Sequence, residues 1–205
     1  AKVLLREITQ SYLYKDILQF QGVRNPEILE KLLQALALQI ASEVSYNELA
    51  NTIGIDKKTV ASYITILERA YVIFKLKPFS RNLRNELTKL RKIYFFDTGV
   101  RNALINNFNP FSLRQDVGAL WENFLMSERM KFNNARARSV NGYFWRTHQQ
   151  QEIDYIEEFD GKLSGFEFKW KGVSAFRPPH AFTQAYPESP VSLITKENFS
   201  TFLYS

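Results

Sequence analysis

Asp154, Glu167 and Lys169 are the side chains in this sequence whose types and spacing suit a reaction. Phe166-Glu167-Phe168-Lys169-Trp170 alternates with period two, as a strand does. Its three aromatics then share one face, and Glu167 and Lys169 the other. Thirteen residues before Glu167, the stretch Glu152-Ile153-Asp154-Tyr155-Ile156 alternates the same way, with Ile153 and Tyr155 expected on one face and Asp154 on the other. A tight turn at Asp160-Gly161 would fold the two segments into a hairpin and bring Asp154 beside Glu167. Two carboxylates so placed can hold a hard divalent cation, Mg2+ or Mn2+, with water in the other positions. Such an ion lowers the pKa of a bound water and shields the charge of a phosphodiester as an anion attacks it. The lysine would position that water or stabilise charge growing on phosphorus. The competing reading is an exposed Glu167–Lys169 pair, which contributes little.

A helix expected over 118–130 offers a further acid. Glu128 falls inside the stripe of Leu120, Trp121, Phe124 and Leu125, and Glu122 lies at its edge, so either can reach inward. Arg146 follows the aromatic run Tyr143-Phe144-Trp145 and suits either phosphate or a salt bridge, the latter being the expected role. Gln184 lies in the helix after Lys169 and can point toward the site. His148 and His180 have no acid at a metal-ligand spacing and are read as structural. The chain has no cysteine, so a disulfide scaffold and a Cys-based zinc site are excluded.

The elements that position these groups fill the second half. Strands are expected around 142–146, 152–157, 165–169 and 191–194, with helices at 118–130 and 179–185. The first half reads differently. A helix over 1–20 ends at Gly22, and Asn25-Pro26 opens another over 26–42, with Asn as cap and Pro in the first turn. Ser45-Tyr46-Asn47-Glu48 is a capping box. Leu49, Ala50 and Ile53 face inward on the helix it starts. Gly54 suits a sharp turn, because glycine adopts positive φ cheaply, and Asp56 caps the next helix, which runs to about 69. Ile55, Val60, Tyr63, Ile64 and Leu67 fill the angle between the two helices. This is helix-turn-helix spacing. The outer face carries Lys57, Lys58, Ser62 and Thr65, which suit phosphate and base-edge contacts. Strands at 71–76 and 91–96 would form a wing.

Charge follows the same division. Residues 1–95 hold 15 Lys and Arg against 9 Asp and Glu, so the whole net charge of +6 lies there; residues 96–205 hold 12 of each. Arg81 and Arg84 belong to a basic run over 75–92 whose only acid is Glu86. Such a stripe suits a polyanion, and the shortage of base-reading side chains favours backbone contact with DNA at low sequence specificity. Hydrophobic residues make up 45% of the chain, ample for real cores. No apolar run approaches the ~18 residues of a membrane span. A cytoplasmic protein without membrane contact is expected, with self-association left open. The first residues, Ala1-Lys2-Val3-Leu4-Leu5-Arg6, read as the inside of a helix, so the chain is expected to begin within a longer one.

At these residues the chain resembles a known family. Asp154 followed by Glu167-Phe168-Lys169 looks like the D…(D/E)xK core of restriction-endonuclease-like nucleases. The order of Tyr12-Leu13-Tyr14-Lys15-Asp16, the helix-turn-helix, Ile93-Tyr94-Phe95-Phe96-Asp97-Thr98-Gly99, Gly118-Ala119-Leu120-Trp121-Glu122-Asn123-Phe124, Trp145-Arg146-Thr147 and Glu152-Ile153-Asp154 is similar to a domain found C-terminal to the ATP-binding module of bacterial and archaeal AAA-type ATPases. The resemblance implies an upstream P-loop ATPase region; no G-x-x-x-x-G-K-[ST] occurs here. It implies Glu122 as the helical acid, Asp154 and Glu167 as metal ligands and Lys169 as the catalytic lysine. One departure is the absent proline before the first strand acid, where Ile153 stands. The expected fold class is mixed: a helical lead-in over 1–25, an all-α winged helix-turn-helix domain over 26–97, and an α/β restriction-endonuclease-like domain over 98–205. The expected function is DNA binding with metal-dependent phosphodiester hydrolysis. The alternative is an inert nuclease fold that recognises DNA or a protein.

Overall fold

The computed structural model describes residues 2–11, 13, 25–80, 91–147, 149–173 and 175–204. The fold is mixed α/β, and the chain divides into two compact units. The first holds 1–75 and 91–115; the second holds 76–90 and 116–205.

In the first unit the described elements are α1 (Lys2–Gln10), α2 (Pro26–Leu38), β1 (Glu43–Val44), α3 (Tyr46–Ile53), α4 (Lys57–Arg69), the start of β2 (Ile73–Pro78), β3 (Arg91–Phe95) and α5 (Thr98–Leu104). Local chemistry sets their ends. Asn25 Oδ1 accepts from the backbone N–H groups of Glu27 and Ile28, and Pro26 loses nothing at a position whose own N–H would be unpaired. Ser45 Oγ accepts from Glu48 N, one arm of the expected capping box. Gly54 closes α3 in the left-handed region at φ 79°, and Asp56 Oδ1 accepts from Thr59 N at 2.9 Å to open α4. Helix α2 stops at Leu38, short of the expected 42, because the backbone turns at Ala41, which takes φ 60°.

The strands of this unit lie in the order β1-β3-β2, with β1 antiparallel to β3 through Glu43↔Lys92 and Val44↔Arg91. Leu32, Leu33, Leu36, Leu49, Val60, Ile64, Leu67 and Ile93 are sealed into one core. Helix α5 belongs here as well, which corrects the expected boundary at 97/98. Asp97 Oδ1 caps it by accepting from Val100 N at 2.8 Å, and the buried Arg101 donates from Nε to Ala37 O at 2.8 Å. A buried guanidinium committed to the last turn of α2 cannot leave with the next domain, and the division falls at 115/116.

The second unit contains the end of β2, then α6 (Val117–Ala135), β4 (Asn141–Arg146), β5 (Glu152–Phe159), β6 (Lys162–Phe168), α7 (His180–Ala185), β7 (Val191–Ile194) and α8 (Phe199–Tyr204). Its strand order is β2-β4-β5-β6-β7. Strands β4, β5 and β6 form an antiparallel meander; β7 runs parallel to β6 after the crossover through α7, and the end of β2 runs parallel to β4. Lys77 and Pro78, just past the expected wing strand at 71–76, therefore pair with β4 in this sheet, and Phe79 N donates to Phe144 O. Asp160 and Gly161 take φ 49° and 75°, the left-handed pair of a two-residue hairpin turn, and set the register Phe159↔Lys162 to Tyr155↔Phe166.

Candidate active site and nucleic-acid face

The β5–β6 hairpin brings the expected trio together. Its register, continued one step past Tyr155↔Phe166, sets Asp154 opposite Glu167. Asp154 Oδ2 accepts a hydrogen bond from Phe168 N at 2.8 Å, and Lys169 Nζ donates to Glu167 Oε1 at 2.7 Å. Both acids are buried, at 5% and 8% exposure, while the lysine is half-exposed. Glu167 Oε2 is buried with no hydrogen-bond partner among the described residues. A sealed carboxylate oxygen without a donor is costly.

One expectation about this strand is corrected. Ile153 and Tyr155 do not share a face. The β4–β5 register shifts between Tyr143↔Ile156 and Trp145↔Ile153, so Asp154 and Tyr155 together oppose Phe144 alone. This is a β-bulge, which breaks alternation and re-aims the side chains within it. Ile153 consequently packs with Ile156 and Phe182, whereas Tyr155 stacks on Phe166 and meets Phe202. Asp154 sits in the bulge.

Electrostatics couple the group. Burial first, and then the Asp154 charge, push the Glu167 carboxyl above its ordinary value, and the Lys169 ammonium only partly offsets them. Burial pulls Lys169 down, but the Glu167 hydrogen bond and charge, followed by Asp154 and Glu152, outweigh it and raise its pKa. Lys169 is therefore a fixed cation near neutrality. Glu152 is the third acid acting on both groups, which the sequence reading missed. Its signal was its place two residues before Asp154 on the same strand.

The remaining candidates separate. Glu122 lies half-buried on α6, and among the described residues no three His, Asp or Glu side chains form a group able to hold a metal. Glu122 thus does not join Asp154 and Glu167 in such a cluster. Glu128 pairs with Lys131 at 2.7 Å. Arg146 donates to Gln150 and lies 3.9 Å from Glu152, the salt-bridge role expected of it. His148 lies outside the described residues, and His180 opens α7. The most deeply buried charges of this unit were not foreseen. Arg129 holds Glu157 through Nε and Nη2, each at 2.8 Å, and Asn133 and Tyr155 Oη also donate to that carboxylate.

On α4, Lys57, Lys58, Ser62 and Thr65 are all exposed. Arg69, also exposed, extends the row Lys58, Ser62, Thr65 at helical spacing and was missed, although the sequence alone gives the spacing. Thr65 Oγ1 donates to Ala61 O, which leaves its lone pairs outward. Arg81 and Arg84 lie outside the described residues.

A family model described as Domain of unknown function (DUF8612) matches residues 1–110. The chain belongs to that family. A second model, Domain of unknown function (DUF4143), matches residues 117–201. The DUF8612 match carries the α4 row, and the DUF4143 match carries Glu122, Asp154, Glu167 and Lys169. An uncharacterized protein of Mycobacterium tuberculosis is 30% identical over 163 residues, covering 78% of this chain and 36% of that protein, and one of Mycobacterium bovis matches equally. An uncharacterized protein of Methanocaldococcus jannaschii is 32% identical over 119 residues, 53% of this chain and 25% of that protein. The chain spans about a third of the length of the mycobacterial relatives. No solved structure matches. No helix among the described residues is long and apolar enough to cross a membrane.

Proposed function

We propose that this DUF8612-family chain is the DNA-handling C-terminal part of an AAA-type ATPase, a winged helix followed by a nuclease-like domain that hydrolyses phosphodiesters. The observation that carries the catalytic reading is the buried pair Asp154 and Glu167, with Glu167 Oε2 unpartnered among the described residues and Lys169 at 2.7 Å from Oε1. An orphaned carboxylate oxygen beside a second acid fits a hard cation. Asp154 and Glu167 would hold Mg2+ or Mn2+, which supplies a more acidic water and shields the phosphodiester. Lys169, held charged by its neighbours, would stabilise negative charge growing on phosphorus. The hydrogen bond from Phe168 N fixes the orientation of Asp154.

The order α2-β1-α3-α4-β2-β3, with strands β1-β3-β2, supports the winged-helix reading. Lys57, Lys58, Ser62, Thr65 and Arg69 would contact DNA, chiefly its backbone. The proposed ATPase lies in the part of such proteins that the chain does not span.

A second reading is an inert nuclease fold that recognises DNA or a protein. It is favoured by the closed Glu167–Lys169 ion pair and by the missing third ligand among the described residues. Plasmid with Mg2+ or Mn2+ separates the two. Hydrolysis is expected, and Lys169→Ala abolishes it. Cleavage that persists in that variant overturns the site. Mg2+ should also raise the melting temperature of the wild type and leave Glu167→Gln unmoved.

A further inference from the structure

Directly after Lys169, the chain places an aromatic and cationic shelf that the hydrolytic chemistry does not use. Lys169 N donates to Ile194 O at 3.0 Å, so the segment beyond β6 continues to pair with the end of β7. That pairing sets Trp170 beside Lys196, whose Nζ lies 4.9 Å from the centre of the Trp170 ring. Behind Trp170 stands Trp121 of α6, edge-on at 5.5 Å, and Trp121 in turn contacts Phe124 and Phe199. Trp170, Phe124 and Phe199 are each partly exposed, and Lys171 and Lys196 are exposed.

Packing of α6 against α8 accounts for Trp121, Phe124 and Phe199. Trp170 joins that packing through its edge contact with Trp121, and Lys196 stands on the other segment over the Trp170 ring. Trp121 Nε1 adds a second observation: it is buried with no hydrogen-bond partner among the described residues, in the wall of the same cluster. An indole donor normally finds a partner when buried.

We infer that Trp170, backed by Trp121 and flanked by Lys171 and Lys196, is a stacking platform for an unpaired nucleobase of a single-stranded nucleic acid. The inference rests on the proposed nucleic-acid role of this domain and adds its substrate class, a strand with unpaired nucleotides. A base in a duplex keeps both faces stacked and cannot use the shelf. An unpaired base exposes a π-face that an aromatic ring accepts regardless of sequence, and lysines beside the ring match the backbone phosphates. Lys196 over the ring is a modest surface contact that base stacking exceeds. Displaced, it is placed for the adjacent phosphate.

The test measures binding of a short oligothymidylate to the 205-residue chain in EDTA, by tryptophan quenching and anisotropy, with a blunt duplex in parallel. The wild type is expected to be quenched by the single strand. Trp170→Phe should remove the quench while keeping the fold, and Trp170→Ala should weaken single-strand binding about tenfold. Lys196→Gln should lower its salt slope by about 0.7. Duplex affinity should stay constant in all three. A quench retained in Trp170→Phe, or single-strand affinity unchanged in both Trp170 variants, overturns the shelf. Because no divalent ion is present, a failed cleavage assay leaves this result standing, and a failed shelf leaves the Lys169→Ala cleavage result standing.

Discussion

Asp154 Oδ2 accepts from the backbone N–H of Phe168 at 2.8 Å, linking the bulge of β5 to the residue between Glu167 and Lys169. The acid is thereby oriented by main chain. Asp154→Asn keeps an oxygen able to accept that bond and removes the charge. The variant is expected to fold with wild-type circular dichroism and to lose hydrolysis. It should also bring the Glu167 carboxyl back toward its ordinary value, since the Asp154 charge is the second cause of the upward shift after burial. Carboxyl-carbon NMR titration reads that return; a Glu167 shift that ignores the substitution contradicts the coupling.

Glu167 also fixes a pH dependence of stability. Its folded pKa lies above the ordinary 4.5, so the folded state holds a proton that the unfolded state releases. This contribution is fully present below 4.5 and is lost as pH rises through the raised folded value. Glu167→Gln removes the titration. Melting curves from pH 4 to 8 should therefore fall less steeply with rising pH in the variant, which should be the more stable of the two near neutrality. A wild type that instead gains stability from this group with rising pH reverses the sign and refutes the assignment.

The buried Arg129–Glu157 pair titrates the other way. Burial raises the Glu157 carboxyl, but the hydrogen bond and charge of Arg129, then Asn133 and Tyr155, outweigh it and hold it below the ordinary range. Its stabilisation is present above 4.5 and is lost as pH falls through the lowered folded value. Glu157→Gln leaves Arg129 buried against a neutral partner, at a cost of about 3–5 kcal/mol in urea unfolding. Arg129→Met combined with Glu157→Met should recover most of that loss, because the desolvation of both charges disappears as well.

The hairpin turn supplies a cleaner case. Gly161 takes φ 75°, and a Cβ added there meets nothing within 4 Å. Gly161→Ala thus introduces backbone strain without a clash, and is expected to cost about 1–2 kcal/mol. Gly142 differs: an added Cβ would lie 2.9 Å from the buried Tyr155 ring. Gly142→Ala must displace a packed side chain and should melt lower than Gly161→Ala.

What could be read in advance was what local chemistry decides. Asn25, Ser45, Asp56, Gly54 and the Asp160-Gly161 turn each act within a few residues, so their caps and bends are visible in the sequence. The hairpin pairing of Asp154 with Glu167 followed from that turn. The bulge did not, because it exists only in register with β4, and Phe144 carries no mark that two residues will face it. The Arg129–Glu157 pair joins positions 28 apart on a helix and a strand. Helix α5 was assigned to the wrong domain for the same reason. The contact that holds it, Arg101 with Ala37, spans 64 residues.

The α4 row yields a prediction that is independent of catalysis. Lys57, Lys58 and Arg69 are exposed, so each contributes to a polyanion mainly by displacing condensed counterions. Replacing Lys58 by Ala should weaken duplex binding alike for unrelated sequences and reduce the slope of log affinity against log salt by about one. Lys58→Ala with Arg69→Ala should reduce it by about two, since the residues are three helical turns apart and act separately. Ser62→Ala should leave the slope unchanged, because a hydroxyl carries no charge to the phosphates. Filter binding over a salt series distinguishes these cases. A slope that does not respond to either cation removes DNA from this face and leaves protein docking as its use.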